Sequence, residues 1–182
     1  MQRIHRSALA MGLVAIVLAV GAAVALASNV HFKKGSPTFA DNGLTLTSSG
    51  DIVGLGTGDV TIDMTATGKP TATCTNPSGG NQPPGQNPAE VTTKGSSAIP
   101  ASAVKNGNAS YAVTTKPPKT PVPGAPDCPS DKWTETITDV AFKSATLTFS
   151  QGGSVVLTAS CTFSPATTGG PVPSGNVSCT SS

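Results

Sequence analysis

The chain has 182 residues, with 11 Lys+Arg against 9 Asp+Glu and a net charge of +2. Both arginines, Arg3 and Arg6, precede Ser28, and beyond that point nine lysines meet nine acids, so the charge is zero. A basic nucleic-acid binder is excluded, because no arginine and no excess of lysine is left to meet phosphates.

Residues 1–27 read as a secretory signal peptide. Arg3, His5 and Arg6 form a short basic start. A run of apolar residues and glycines from Ala8 follows and ends in Ala25-Leu26-Ala27, the small-x-small pattern that signal peptidase cuts. Cleavage is expected before Ser28, with Ala23-Val24-Ala25 allowing an earlier cut. The rival reading is an uncleaved helical anchor, for which about 20 apolar residues suffice. No cysteine lies near the site and Arg3 and Arg6 are not adjacent, which excludes a lipoprotein anchor and a twin-arginine signal. The expected destination is the medium, the periplasm or the cell surface.

Residues 28–182 are expected to form a single domain. Ser and Thr number 44 there, with 18 Gly and 16 Pro, so these four types make up half of it. Threonine is β-branched and suits strands, while Gly and Pro mark turns. No stretch of ten residues carries helical apolar spacing, and the predicted class is all-β.

Short edge strands are predicted at 30–33 and 38–40, then an Asp41-Asn42-Gly43 turn suited to a tight hairpin. Leu44-Thr-Leu46-Thr47 alternates with its leucines inward. The glycines at 50, 54, 56 and 58 mark a flexible loop over 49–59. Residues 60–67 give the clearest strand, apolar at every second position. Gly68-Lys69-Pro70 is read as a turn, and 71–75 as the next strand. Residues 76–89 form a Pro/Gly-rich loop. A strand over 90–94, a second strand or extended link over 99–104, and a turn over 105–108 follow. The strand at 110–115 centres on Tyr111 or Val113, and 116–129 is a stiff proline-rich loop. Trp133, Ile137, Val140 and Phe142 trace a strand with an irregularity at Asp139. Residues 145–151 and 154–163 form a hairpin around Gly152-Gly153, and the last strand is 177–180. Eight to ten short strands suggest two packed sheets. An immunoglobulin-like sandwich is the first choice, with Trp133 in the core and a disulfide joining the sheets, and a jelly roll is the second.

Cys74, Cys128, Cys161 and Cys179 are even in number and follow an export signal, which reads as disulfides. Three pairings are open, of which Cys74–Cys128 and Cys161–Cys179 are favoured. The first joins the edges of two proline-rich loops, and the second ties down the carboxyl-terminal tail. A zinc site is disfavoured, with no Cys-x-x-Cys pair and with His31 the sole histidine after residue 27.

Catalytic chemistry finds little support. His31 is the one imidazole left to serve a serine nucleophile, and it stands near the start of the exported part. Asp59 and Asp63 share a strand face, and Asp51, Asp127, Asp131, Glu135 and Asp139 are scattered, so no pair has a fixed glycosidase separation. Calcium could be held at Asp51, Asp59 or the Asp127/Asp131 loop, although no Asp-x-Asp-x-Asp-Gly pattern is present. Gly54-Leu-Gly56-Thr-Gly58 lacks the spacing and the helix of a phosphate loop. Asn108-Ala-Ser110 and Asn176-Val-Ser178 are glycosylation sequons. No catalytic, metal-binding or cofactor-binding residue is assigned, and no cofactor is expected.

The blocks Ala72-Thr-Cys74-Thr-Asn-Pro-Ser-Gly-Gly-Asn81, Pro84-Gly-Gln-Asn-Pro88, Ile99-Pro-Ala-Ser102, Lys105-Asn-Gly-Asn108, Cys128-Pro129, Trp133-Thr134 and Ile137-Thr-Asp-Val140 resemble a family of uncharacterised secreted bacterial proteins. The blocks span most of 43–151. The resemblance implies a bacterial, exported origin and adds no active site. The expectation is therefore an exported, non-enzymatic β-sandwich with a structural or binding role at or outside the cell surface, its partner a cell-surface protein or polymer. A glycan- or calcium-binding module is the alternative, and a carboxylate-dependent hydrolase the reserve. A membrane partner enters only through an uncleaved amino-terminal segment.

Overall fold

The computed structural model describes residues 29–82, 89–121, 128–130 and 132–182. The expected signal helix, Asp127, Asp131 and the centres of both proline-rich loops lie outside the described residues. Eleven strands are described: β1 (His31–Phe32), β2 (Thr38–Asp41), β3 (Leu46–Val53), β4 (Val60–Thr75), β5 (Asn81–Gln82), β6 (Val91–Ile99), β7 (Ala109–Thr114), β8 (Thr134–Gln151), β9 (Ser154–Phe163), β10 (Gly170–Pro171) and β11 (Val177–Ser181). They build the expected two-sheet sandwich, with every pairing antiparallel.

In the smaller sheet, β3 has β7 along one edge and β2 and β1 end to end along the other, with β10 outside β2. In the larger sheet the order is β11-β9-β8-β4, and β6 and β5 share the far edge of β4. Alternate residues of both sheets point into one core, as period-2 patterning dictates. Ile62, Met64, Leu147 and Phe149 meet Leu46, Ile52, Tyr111 and Val113, all buried. Tyr111 and Phe149 stack edge to face at 5.0 Å, and so do Phe39 and Phe163.

Three expectations change. Gly68-Lys69-Pro70 does not turn the chain, since β4 runs straight through it. The register slips at 67/68 and again at 71/72, so Lys143 and Thr138 of β8 are bulged. The bulges absorb the irregularity expected at Asp139. A Cβ at Gly68 would stand 2.7 Å from the Ala141 carbonyl oxygen, so this glycine serves close packing, not a turn. Gly50 likewise lies within β3, where a side chain would strike Ser36 at 2.7 Å. The strand expected over 90–94 runs on through Val91–Ile99, and the segment expected to extend over 99–104 holds a 3-10 turn at Ala101–Ala103.

Trp133 is half-buried and outside the core cluster, contrary to expectation. The disulfides pair Cys74 with Cys128 and Cys161 with Cys179. The second joins directly opposed residues of β9 and β11 within one sheet, so the expected sheet-to-sheet bridge is not made by it. The first ties β4 to the segment before β8. What holds the sheets together along one side is an edge contact. Lys116 N donates to the Lys94 carbonyl at 2.9 Å, and Ser97 Oγ donates to the Ala112 carbonyl at 2.8 Å. Each sheet thereby covers an edge of the other.

The outer face of the larger sheet is patterned. Thr92, Thr67, Ser144, Thr162 and Ser178 stand side by side across β6-β4-β8-β9-β11. The next row is Lys94, Thr65, Thr146, Ser160 and Thr180. The third is Ser96, Asp63, Thr148 and Thr158, closed by Ser182, whose backbone exchanges two 2.9 Å hydrogen bonds with Thr158.

Candidate functional site

A row across the smaller sheet builds the candidate site. The backbone N–H of Lys33, just after β1, donates to the Asp51 carbonyl at 2.9 Å. Asp51 on β3 lies opposite Ser110 on β7. Period-2 alternation turns all three outward, since Phe32, Ile52 and Tyr111 beside them turn inward. The 105–108 turn, closed by a two-residue bridge with Asn106 and Gly107 at positive φ, brings Lys105 and Asn108 to the same place. Lys33, Asp51, Ala103, Lys105, Asn108, Ala109 and Ser110 line an open cleft of about 400 Å³.

Its polar groups are already arranged. The Ser110 hydroxyl donates to Asp51 Oδ1 at 2.5 Å. The backbone N–H of Asp51 donates to Ser36 Oγ at 2.9 Å, fixing the strand that carries the carboxylate. Asn108 Nδ2 donates to the Asn106 carbonyl at 2.9 Å, which holds the turn. Two lysines, Lys33 and Lys105, therefore share the cleft with one carboxylate that a hydroxyl is holding. Such a cleft offers cations and hydroxyl or amide donors to an anionic group.

His31 does not line the cleft, and its Nδ1 bonds to the Asn29 carbonyl at 2.7 Å. Ser110 thus meets a carboxylate and no imidazole, and the proton relay of a serine hydrolase is not assembled there. The structure separates the other acids. Asp59 Oδ1 accepts the N–H of Ala101 at 2.7 Å, while Asp63 stands in the hydroxyl rows of the opposite sheet. Asp139 is half-buried on β8. Among the described residues no group of three or more His, Cys, Asp or Glu side chains could hold a metal ion. Of the sequons, Asn108 is exposed at the cleft and Asn176 is half-buried against β9.

Sequence reasoning singled out Asp51 and the 105–108 turn separately. It missed Lys33 and Ser110 as their partners, because the row exists only once the registers of β1, β3 and β7 are known. It also missed buried Asp41, whose carboxylate accepts the N–H groups of Gly43 and Gly169 at 2.8 and 3.1 Å and fastens the tail segment onto β2.

Among the described residues no helix is long and apolar enough to cross a membrane. Two disulfides mark a chain suited to an oxidising compartment. Comparison with known proteins finds no match, whether to a family model, a curated sequence or a solved structure.

Proposed function

We propose that this chain is an exported, non-enzymatic β-sandwich of bacterial origin that acts at or outside the cell surface by binding, and that an anionic group of a surface polymer docks in the Lys33–Asp51–Lys105 cleft. The observation that supports this reading is a cleft lined by two lysines and one carboxylate, Asp51, which Ser110 holds. Two lysines against one carboxylate leave the cleft with a net positive charge to meet an incoming carboxylate or phosphate. Attraction of this kind is surface-exposed and falls with salt.

The test is retention of the chain on an acidic polysaccharide such as polygalacturonate. Retention is expected at low salt, with loss in Lys33→Ala/Lys105→Ala and near-loss above roughly 0.5 M salt as the Debye length shrinks. Equal retention of the double variant would reject the cleft. Turnover on a hydrolase substrate panel that disappears in Asp51→Asn would reject the non-enzymatic reading. Export is read separately, from the mass of the protein in the culture medium.

A further inference from the structure

The larger sheet carries a surface that the cleft does not explain. Its three outer rows span five strands and hold fifteen positions, thirteen of them Thr or Ser. The two exceptions are Asp63 and Lys94, one of each sign, so the face is neutral. No position in the rows is aromatic, and the described side chains are exposed or half-buried. Ordinary solvated faces mix Lys, Glu and Asp, and a lattice of one functional group over five strands is a different object.

Strand geometry sets the lattice constants. Neighbouring strands lie about 4.8 Å apart, and alternate residues on one strand lie about 6.8 Å apart. Water oxygens on a prism face of hexagonal ice repeat on a rectangular net with nearly these two spacings. Eight of the thirteen hydroxyl residues are threonines, whose branched Cβ restricts χ1. The threonine oxygens are therefore partly pre-ordered, and less rotamer freedom is lost at them than at unbranched side chains when they join an ordered partner.

We propose that this face binds ice, or the ordered water at an ice surface, through its hydroxyl rows. Neutrality favours an uncharged partner over an acidic polymer. The lack of aromatic platforms disfavours a sugar ring, and the lack of apolar side chains within the three rows disfavours a second copy, since packed sheet faces interdigitate apolar residues. The right-handed twist of the sheet breaks the match away from its centre. The expected activity is thus retardation of ice recrystallisation, centred on Thr65, Thr146, Thr148 and Thr158. It does not depend on what the cleft on the opposite face binds.

The test uses the disulfide-intact chain in polycrystalline ice, with grain growth and partition into a growing ice front as readouts. The chain should slow grain growth relative to albumin at equal mass and should enter the ice front. Thr148→Tyr should abolish both, as a bulky ring at the centre lifts the rows off a flat partner. Tyrosine favours strands, so the fold is expected to persist; Thr158→Tyr serves if its melting temperature falls. Thr47→Tyr, on the outer face of the smaller sheet, should change nothing. Grain growth indistinguishable from albumin would overturn the proposal, as would equal activity in Thr148→Tyr. Two further results would also overturn it in the absence of ice activity: a dimer that Thr148→Tyr dissociates, or binding to an insoluble neutral polysaccharide that the same substitution removes.

Discussion

Gln151 clamps Gly56 from the strand next to β4. Its Oε1 accepts the Gly56 N–H at 2.7 Å, and its Nε2 donates to the Gly58 carbonyl at 2.6 Å. The glycine-rich segment between β3 and β4 is therefore pinned at two backbone groups, not the flexible loop its composition suggests. Gln151 is nine-tenths buried and lies opposite Val60 at the end of β8. Removing its amide leaves both backbone groups short of a partner. Gln151→Ala is expected to cost roughly 1–3 kcal/mol per group left unsatisfied, less whatever water re-enters. Urea denaturation measures this, and a midpoint equal to that of the parent chain would show that the clamp contributes nothing.

Gly95 occupies the point where the two sheets touch. A Cβ there would stand 2.0 Å from the Thr114 carbonyl oxygen and 2.8 Å from Thr115 Cα. Both neighbours are backbone, so neither yields by a rotamer change. Gly95→Ala is expected to push β6 from β7 and destabilise by about 1–3 kcal/mol or more. The Lys116–Lys94 and Ser97–Ala112 hydrogen bonds should weaken with it. Hydrogen exchange should speed up at the Lys116 amide first. An unchanged melting temperature would contradict a tight edge contact.

The two disulfides close loops of different length, 54 residues for Cys74–Cys128 and 18 for Cys161–Cys179. Loop-closure entropy then assigns about 4 kcal/mol to the first and about 3 kcal/mol to the second. Replacing each pair by alanine should therefore lower the denaturation midpoint more for Cys74/Cys128. The opposite order would show that folded-state packing outweighs chain entropy. Buried Cys161, in the core where Cys179 is exposed, is the group through which that would happen.

Much of the sandwich was readable where a strand has one wet face. Residues 60–67 alternate without a break, and they form the first half of β4. The reading failed where a residue acts across strands and not along one. Gly68 and Pro70 look like a turn in isolation, but opposite Phe142 and Val140 they lie within a bulged strand. Gly50 looks like a loop glycine, yet it makes room for Ser36 and Tyr111. An immunoglobulin-like reading places Trp133 in the core, yet it sits just before β8 beside the Cys128 segment, half-buried. The candidate site suffered most. Asp51 and Ser110 are 59 residues apart, and nothing local pairs them. The hydroxyl rows are likewise invisible until register places Thr67 beside Ser144 and Ser144 beside Thr162.

Tyr111 predicts how the fold responds to alkali. Its ring is buried against Phe149, and its hydroxyl shares a 3.2 Å hydrogen bond with Ser48, which is itself buried. Burial raises the phenol from 10.0 to about 12, and the Ser48 hydrogen bond lowers it by less. The raised value means that the folded state keeps a proton which the unfolded state loses. Stability from this group is complete below about pH 10 and is lost as pH rises through 12. The loss is about 1.4 kcal/mol per pH unit across the window, on the order of 3 kcal/mol in all. Lysines titrate over the same range, so the measurement is a difference between the parent chain and Tyr111→Phe. At pH 8 the variant should be less stable by roughly 1–3 kcal/mol, since Ser48 is left buried without its partner. Between pH 10 and 12 the gap should close and then reverse, because phenylalanine has no proton to lose. Parallel stability curves from pH 8 to 12 would mean that Tyr111 ionises as freely in the fold as in water.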